Sequence, residues 1–363
     1  MLSRRGPHRR LPAVGLAASL AACSPGYVAR AGWEEAKILR VRRPIQEVVH
    51  DTAVDAVTRA KLRLVQDARA FAELELGLDA GRSFLSYAPV ERDTLLLVVS
   101  AAPEFRLEWK TWWFPIVGRV PYRGYFDFEA AHRAADRLAA DGWDTYVRPT
   151  TAFSTLGWLP DPLLSTVLAA DSITLVETVI HEITHTTFFP SGQAHFNESF
   201  ANFVGYRGAI EFFCGALAAP DLCGSARDRW HDVLEFGRFF QSIVEPLEAL
   251  YSDASADEAA LRAGKREILE DAARRWREDV KPRLRSGEYG DLDPADLNNA
   301  WLLSRILYYT RLDDFETLLG EAGGLRPAVA ELIAAAGDRD PWDALDGLVA
   351  GPAGPRAGGE EGR

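Results

Sequence analysis

From residue 45 to residue 78, apolar side chains recur at helical spacing (Val48, Val49, Val54, Val57, Leu62, Leu64, Val65, Phe71 and Leu74) between Pro44 and Gly77, which predicts one or two helices. The charges between them form the solvated face. Between residues 94 and 126 the pattern changes to β-rich runs at 95–99, 105–114 and 119–126, broken by Pro103, Pro115, Gly118 and Pro121. That punctuation predicts short antiparallel strands. Asp127 opens a helix to about Ala140, closed by Asp141-Gly142, and an extended pattern returns over residues 144–155 through Tyr146, Val147 and Phe153. Beyond Asp171 helical periodicity takes over, near residues 171–189, 196–213, 226–251, 256–280, 295–319 and 326–336, and no strand signal recurs. The predicted class is α+β, with a mixed or antiparallel sheet in the front half and a mainly helical second half. Trp109, Trp112, Trp113 and Phe114 form an aromatic cluster that reads as a packed sheet face or as a substrate wall.

The chain has 363 residues, 47% of them hydrophobic, enough for a sizeable core, and a formal charge of −12. Counterion release on a phosphate backbone needs clustered Lys and Arg, so nucleic acid is excluded as an expected partner. The N-terminus carries Arg4, Arg5, Arg9 and Arg10, then an apolar run at 11–22 that is too short to span a bilayer. This is a signal-peptide layout over residues 1–22. Its end, Leu20-Ala21-Ala22-Cys23, resembles the lipobox of bacterial lipoproteins, in which Cys23 becomes the lipidated first residue. An ordinary secretory signal with an incidental cysteine is the alternative. The lipoprotein reading places the protein in the bacterial envelope, held to a membrane without crossing it and facing the periplasm. Ser24 after the cysteine leans this towards the outer membrane. The remaining organisation is one domain over 23–350, comprising a helical segment (about 45–78), a β-rich part (about 94–160) and a helical part (about 161–340). A Gly-, Pro- and charge-rich tail at 351–363 is expected to be disordered. In an exported protein Cys214 and Cys223, nine residues apart, read equally as a local disulfide and as two buried thiols.

The chemistry concentrates on one helix. Asp171 can cap it, its apolar face runs through Ile173, Val176, Val179, Ile180 and Ile183, and His181 and His185 stand one turn apart on it. Side chains four apart on a helix are neighbours, so both imidazoles can reach one ion. Glu182, directly after the first histidine, points beside that ion and can take a proton from water whose pKa zinc lowers to about 7. Glu198, on the next helix, shares its face with Ala201, Asn202, Gly205, Gly208 and Ala209, while Phe196, Phe200 and Phe203 look elsewhere. Small residues allow this face to approach the first helix closely, which makes Glu198 the third ligand of a single Zn2+ ion. His195 is a rival ligand, but it lies ten residues after His185, where the metzincin pattern places a third histidine six residues on.

His181-Glu182-Ile183-Thr184-His185 followed by Asn197-Glu198-Ser199-Phe200-Ala201 resembles the gluzincin metallopeptidases, whose third ligand is a glutamate on the helix after the HExxH helix. Pro121-Tyr122-Arg123-Gly124-Tyr125-Phe126, Ser154-Thr155-Leu156-Gly157-Trp158, Phe196-Asn197-Glu198-Ser199-Phe200-Ala201 and Asn298-Asn299-Ala300 look like the bacterial putative aminopeptidase family, over most of the mature chain. The resemblance implies a zincin-like core, zinc at His181, His185 and Glu198, Glu182 as general base, and aminopeptidase action on a peptide substrate. It also implies that residues 151–158 form an edge strand binding extended peptide through main-chain bonds. The gap between His185 and Glu198 is shorter than in thermolysin-like gluzincins.

Aminopeptidase action needs a carboxylate for the substrate's amino group, and Glu177, one turn before His181, is the candidate, with orientation of a histidine as its other reading. Tyr308, Tyr309, Tyr206 and His231 are unranked candidates for the oxyanion donor. Two other functions stay open: a zinc endopeptidase, and a non-catalytic envelope scaffold holding zinc for structure.

Overall fold

The structure is a computed structural model describing residues 33–350 apart from 34–35, 91–93, 115–117, 151–161 and 288. The expected signal segment, Cys23, the expected edge strand at 151–158 and the tail from 351 lie outside the described residues.

The first helical segment is two helices, α1 (Ile45–His50) and α2 (Ala56–Leu74), the second capped by the Asp55 side chain accepting from Thr58 N. They are preceded by β1 (Arg43–Pro44) and followed by β2 (Ser86–Ala88). The β-rich part holds β3 (Leu96–Pro103), β4 (Trp112–Phe114), β5 (Gly118–Val120), β6 (Tyr122–Tyr125) and, after helix α3 (Phe128–Ala140), β7 (Trp143–Thr150). The run expected at 105–114 is mostly irregular: a turn follows β3, and only Trp112–Phe114 is strand. β4 pairs with β5 in a separate two-stranded ribbon, leaving Trp113 48% exposed, so the aromatic cluster is not one packed sheet face.

The main sheet is antiparallel in the order β6-β3-β7. Val98 stands between Gly124 and Arg148, and Ser100 between Tyr122 and Tyr146. Because side chains alternate across a strand, these two rows share one face. The opposite face places Leu97, Val99 and Val147 on Ala131 and Ala135 of α3. The first face turns inward: Leu96 and Val98 join the main core, and Ala102 meets Ala300 and Leu303. α3 itself starts at Asp127, whose side chain accepts from Ala130 N at 3.0 Å.

After β8 (Leu163–Leu164), which pairs parallel with β2, the chain is helical: α4 (Ser165–Leu168), α5 (Ser172–Thr187), α6 (Ala194–Glu211), α7 (Pro220–Tyr251), α8 (Glu258–Arg275), α9 (Asn299–Tyr309), α10 (Leu312–Ala322), α11 (Leu325–Ala336) and α12 (Pro341–Val349). The α+β class holds, with small sheets beside a predominantly helical body. The stretch expected as one helix at 295–319 is two, because Arg311 adopts a left-handed conformation (φ 55°) between α9 and α10. α12 was not expected. Cys214 and Cys223 form a disulfide, joining the π-helical turn after α6 to the first turn of α7. No helix among the described residues is long and apolar enough to cross a membrane.

Candidate metal centre

α5 begins where Asp171 accepts from Ile173 N at 2.9 Å and Thr174 N at 3.2 Å. Arg229 of α7 ties that cap down, donating to Asp171 and Thr174. Ile173, Val176, Val179, Ile180 and Ile183 are all buried, so the apolar face fixes the rotation of α5 and leaves His181 and His185 in register one turn apart.

α6 is rotated by its aromatic side. Phe196, Phe200 and Phe203 are fully buried against Phe315, with ring centroids 6.0, 5.8 and 5.3 Å from it. Each such side chain contributes on the order of 1.5–3 kcal/mol by leaving water, which holds Glu198 and Gly205 on the opposite side, towards α5. The small residues let the helices touch. A Cβ on Gly205 would lie 3.0 Å from the Glu177 carbonyl oxygen, and one on Gly208 would lie 3.0 Å from Ile180 Cδ1. The connecting loop is short and internally bonded, with Asn197 Nδ2 donating to Pro190 O at 2.9 Å.

His181, His185 and Glu198 form a group that could hold a metal ion. His181 Nε2 and His185 Nε2 face each other at 3.2 Å, and Glu198 Oε2 lies 3.5 Å from the first and 3.7 Å from the second. An ion bound at about 2.0–2.1 Å in tetrahedral geometry separates its ligands by about 3.3–3.4 Å, so the triangle has the size zinc requires. Its electrostatics also ask for a cation. Burial works to lower the His181 pKa, but Glu198 beside it and the charges of Glu182 and Glu177 outweigh that and raise it to about 9. Burial works to raise Glu198, yet His181 and His185 hold its carboxyl well below the usual range. Two neutral imidazoles and a carboxylate are a donor set that suits zinc.

Around this triangle the other candidates separate. Glu182 is half-buried and makes no hydrogen bond or ion pair among the described residues. Glu177 packs between α5 and α6, with Oε1 4.0 Å from His181 Nδ1, and burial raises its pKa to about 7. At 4.0 Å it does not hydrogen-bond the ring, and it is packed between the two helices rather than open to a substrate. His185 Nδ1 is buried without a hydrogen-bond partner among the described residues. His195 is not part of the group, and burial lowers its pKa.

Of the four oxyanion candidates, Tyr308 comes to the site. Its ring lies 6.4 Å from that of His181, and burial, reinforced by the Glu198 charge, raises its pKa far above neutrality, so its hydroxyl keeps its proton. Tyr206 packs at a tilt on Trp230 at 5.7 Å, Tyr309 packs on Phe240 at 5.5 Å, and His231 lies 3.2 Å from Asp232. Two polar residues of α6 hold the end of α9 that carries Tyr308: Ser199 donates to Leu307 O at 3.2 Å and Asn202 to Tyr308 O at 2.9 Å. Neither role is legible in the sequence, where Asn202 is only a member of the Glu198 face, because the partners lie more than a hundred residues away.

The family described as "putative aminopeptidase" matches residues 26–337, and the chain belongs to that family. Membership points to a peptidase, a hydrolase of peptide bonds. No curated protein and no solved structure matches the chain.

Proposed function

We propose that this chain is a zinc-dependent peptidase with a gluzincin-like catalytic core, acting as an aminopeptidase and held in the bacterial envelope, facing the periplasm at the outer membrane, by a lipidated Cys23. The observation that carries the catalytic part is the triangle of His181 Nε2, His185 Nε2 and Glu198 Oε2, with sides of 3.2, 3.5 and 3.7 Å, beside Glu182, which has no partner among the described residues.

A zinc ion held by these three residues would supply Lewis acidity, bringing the pKa of water to about 7 and polarising the scissile carbonyl. Glu182, adjacent to His181 and without a competing partner among the described residues, accepts the proton of the attacking water and delivers it to the leaving amine. General base work of this kind contributes about 10²–10⁴-fold. The protonated Tyr308 hydroxyl donates to the oxygen on which negative charge develops. Glu177 lies behind the His181 ring, 4.0 Å from Nδ1, and its charge favours the proton there, which leaves Nε2 for the ion.

One observation favours an endopeptidase as the second reading. Glu177, the carboxylate considered for the substrate's amino group, is packed beneath His181 instead. Paired peptides with free and acetylated amino termini decide between the two. The aminopeptidase reading expects cleavage only of the free form, one residue from the end, and equal cleavage of both forms overturns it. Acyl mass on the N-terminal peptide of the mature protein tests the anchor at Cys23, and an unmodified cysteine there contradicts it.

A further inference from the structure

The inward face of β7 carries Asp144, Tyr146 and Arg148 in alternation. The first two are bound into the protein. Asp144 Oδ2 accepts from Lys265 Nζ at 2.5 Å and from Asn299 N at 2.8 Å. The Tyr146 hydroxyl accepts from Arg305 at 3.0 Å. Arg148 is half-buried and makes no hydrogen bond or ion pair among the described residues. The strand runs along α9, with Asp144 at Asn299 and Tyr146 at Arg305, one turn before Tyr308, so Arg148, two residues further on, lies towards Tyr308, and its charge acts on the Tyr308 hydroxyl. Across the sheet its row continues through Val98, buried in the core, to Gly124, where Leu96 fills the space of a side chain, so neither neighbour offers Arg148 a polar partner.

A half-buried guanidinium gives up part of its hydration, and a partner of opposite charge normally compensates. Here the partner is not supplied by the described protein. Planar, bidentate donor geometry matches a carboxylate, and peptides bring carboxylates to a peptidase cleft.

We propose that Arg148 anchors a carboxylate of the substrate, so that the substrate class is short peptides with a free α-carboxylate, or with an acidic side chain, close to the scissile bond. The assignment rests on reading the metal triangle as a peptidase site. It makes Arg148 a specificity-determining residue at the edge of the sheet, set apart from the ligands and from Glu182.

The test separates binding from turnover. Zinc-loaded full-length Glu182→Gln protein is titrated calorimetrically with trialanine and its C-terminal amide, then with Ala-Glu-Ala amide and Ala-Gln-Ala amide. Charge-assisted pairing predicts that the carboxylate member of at least one pair binds about 10- to 100-fold more tightly. That ratio falls towards one in Arg148→Gln and is partly kept in Arg148→Lys. Preference in the first pair identifies the terminal carboxylate, and preference in the second identifies the side chain. The ratio of kcat/KM in the Glu182 enzyme follows the same pattern. A ratio near one with Arg148 present, a ratio unchanged by Arg148→Gln, or no binding of any of the four peptides overturns the proposal. Selective binding without turnover by the Glu182 enzyme leaves the Arg148 assignment standing and rejects the peptidase reading.

Discussion

Gly205 touches His181: a Cβ built on the glycine would lie 3.2 Å from the His181 Cβ and 3.0 Å from the Glu177 carbonyl oxygen. Alanine at this position gains up to about 1 kcal/mol in helix propensity. Overlap with backbone costs about 1–3 kcal/mol and separates the two helices that carry the ligands. Gly205→Ala is therefore expected to lower both the thermal midpoint and zinc affinity. Gly224→Ala in α7, where a Cβ meets nothing within 4 Å, should leave zinc unchanged and raise stability slightly. Calorimetry with zinc titration compares the two, and unaltered zinc affinity in Gly205→Ala would count against the close approach.

The ligands and the base should respond differently to substitution. His181→Ala, His185→Ala and Glu198→Ala each remove one donor and should abolish stoichiometric zinc in purified protein, whereas His195→Ala should retain it. Glu182→Gln should bind one zinc normally while kcat falls by about 10²–10⁴-fold. Zinc analysis beside peptide hydrolysis reads both effects.

Stability of the metal-free protein should fall as pH rises through neutrality. His181 has a pKa raised from 6.5 to about 9, burial being outweighed by Glu198, Glu182 and Glu177. Its contribution is fully present below 6.5 and is lost as pH rises through 9. Glu177, raised by burial from 4.5 to about 7, is neutral in the fold where it is ionised in the unfolded chain, so it adds to the loss between those values. Zinc uptake must displace the His181 proton, so affinity should increase over the same range. Thermal unfolding of chelator-treated protein at several pH values should show the decline, and His181→Ala should flatten it.

Asn299 should matter more than its neighbour. It is fully buried, donates to the carbonyls of Pro103, Glu104 and Arg106 at 2.9, 3.0 and 3.2 Å, and accepts from the Tyr251 hydroxyl at 2.9 Å. Asn299→Ala orphans several buried groups at about 1–3 kcal/mol each, a large share of a typical domain's stability. Asn298 caps α9 through Trp301 N at 2.9 Å and donates to Thr145 O at 3.0 Å, so Asn298→Ala should cost about 1–2 kcal/mol. Chemical denaturation of the two variants measures the difference.

What could be read from the sequence was mainly local. Asp127 and Asp171 signalled helix starts because a cap bonds within its own first turn. Glu198 stood out because the small face of α6 is visible at a spacing of three and four residues. The break at Arg311 was hidden, since neither glycine nor proline marks it and the left-handed turn is held by pairs to Asp314 and Asp346. α12 follows Asp340-Pro341, an N-cap with proline at the first position, a start signal without a long apolar period behind it. The motif Asn298-Asn299 was visible as a string, but its work as a clamp between sheet and helix depends on partners some 150–200 residues away. Arg148 gave no signal for the same reason: on a strand, alternation alone does not say which face meets α9 and its Tyr308.

The central claim is that one zinc ion at His181, His185 and Glu198 makes the chain a peptidase. Its most direct measurement returns zinc in known increments to chelator-stripped protein and follows kcat/KM on a peptide with a free amino terminus. The account predicts activity that is absent without metal, rises in proportion to occupancy and saturates at one zinc per chain. Hydrolysis that persists in the stripped protein, or is independent of zinc returned, would contradict it.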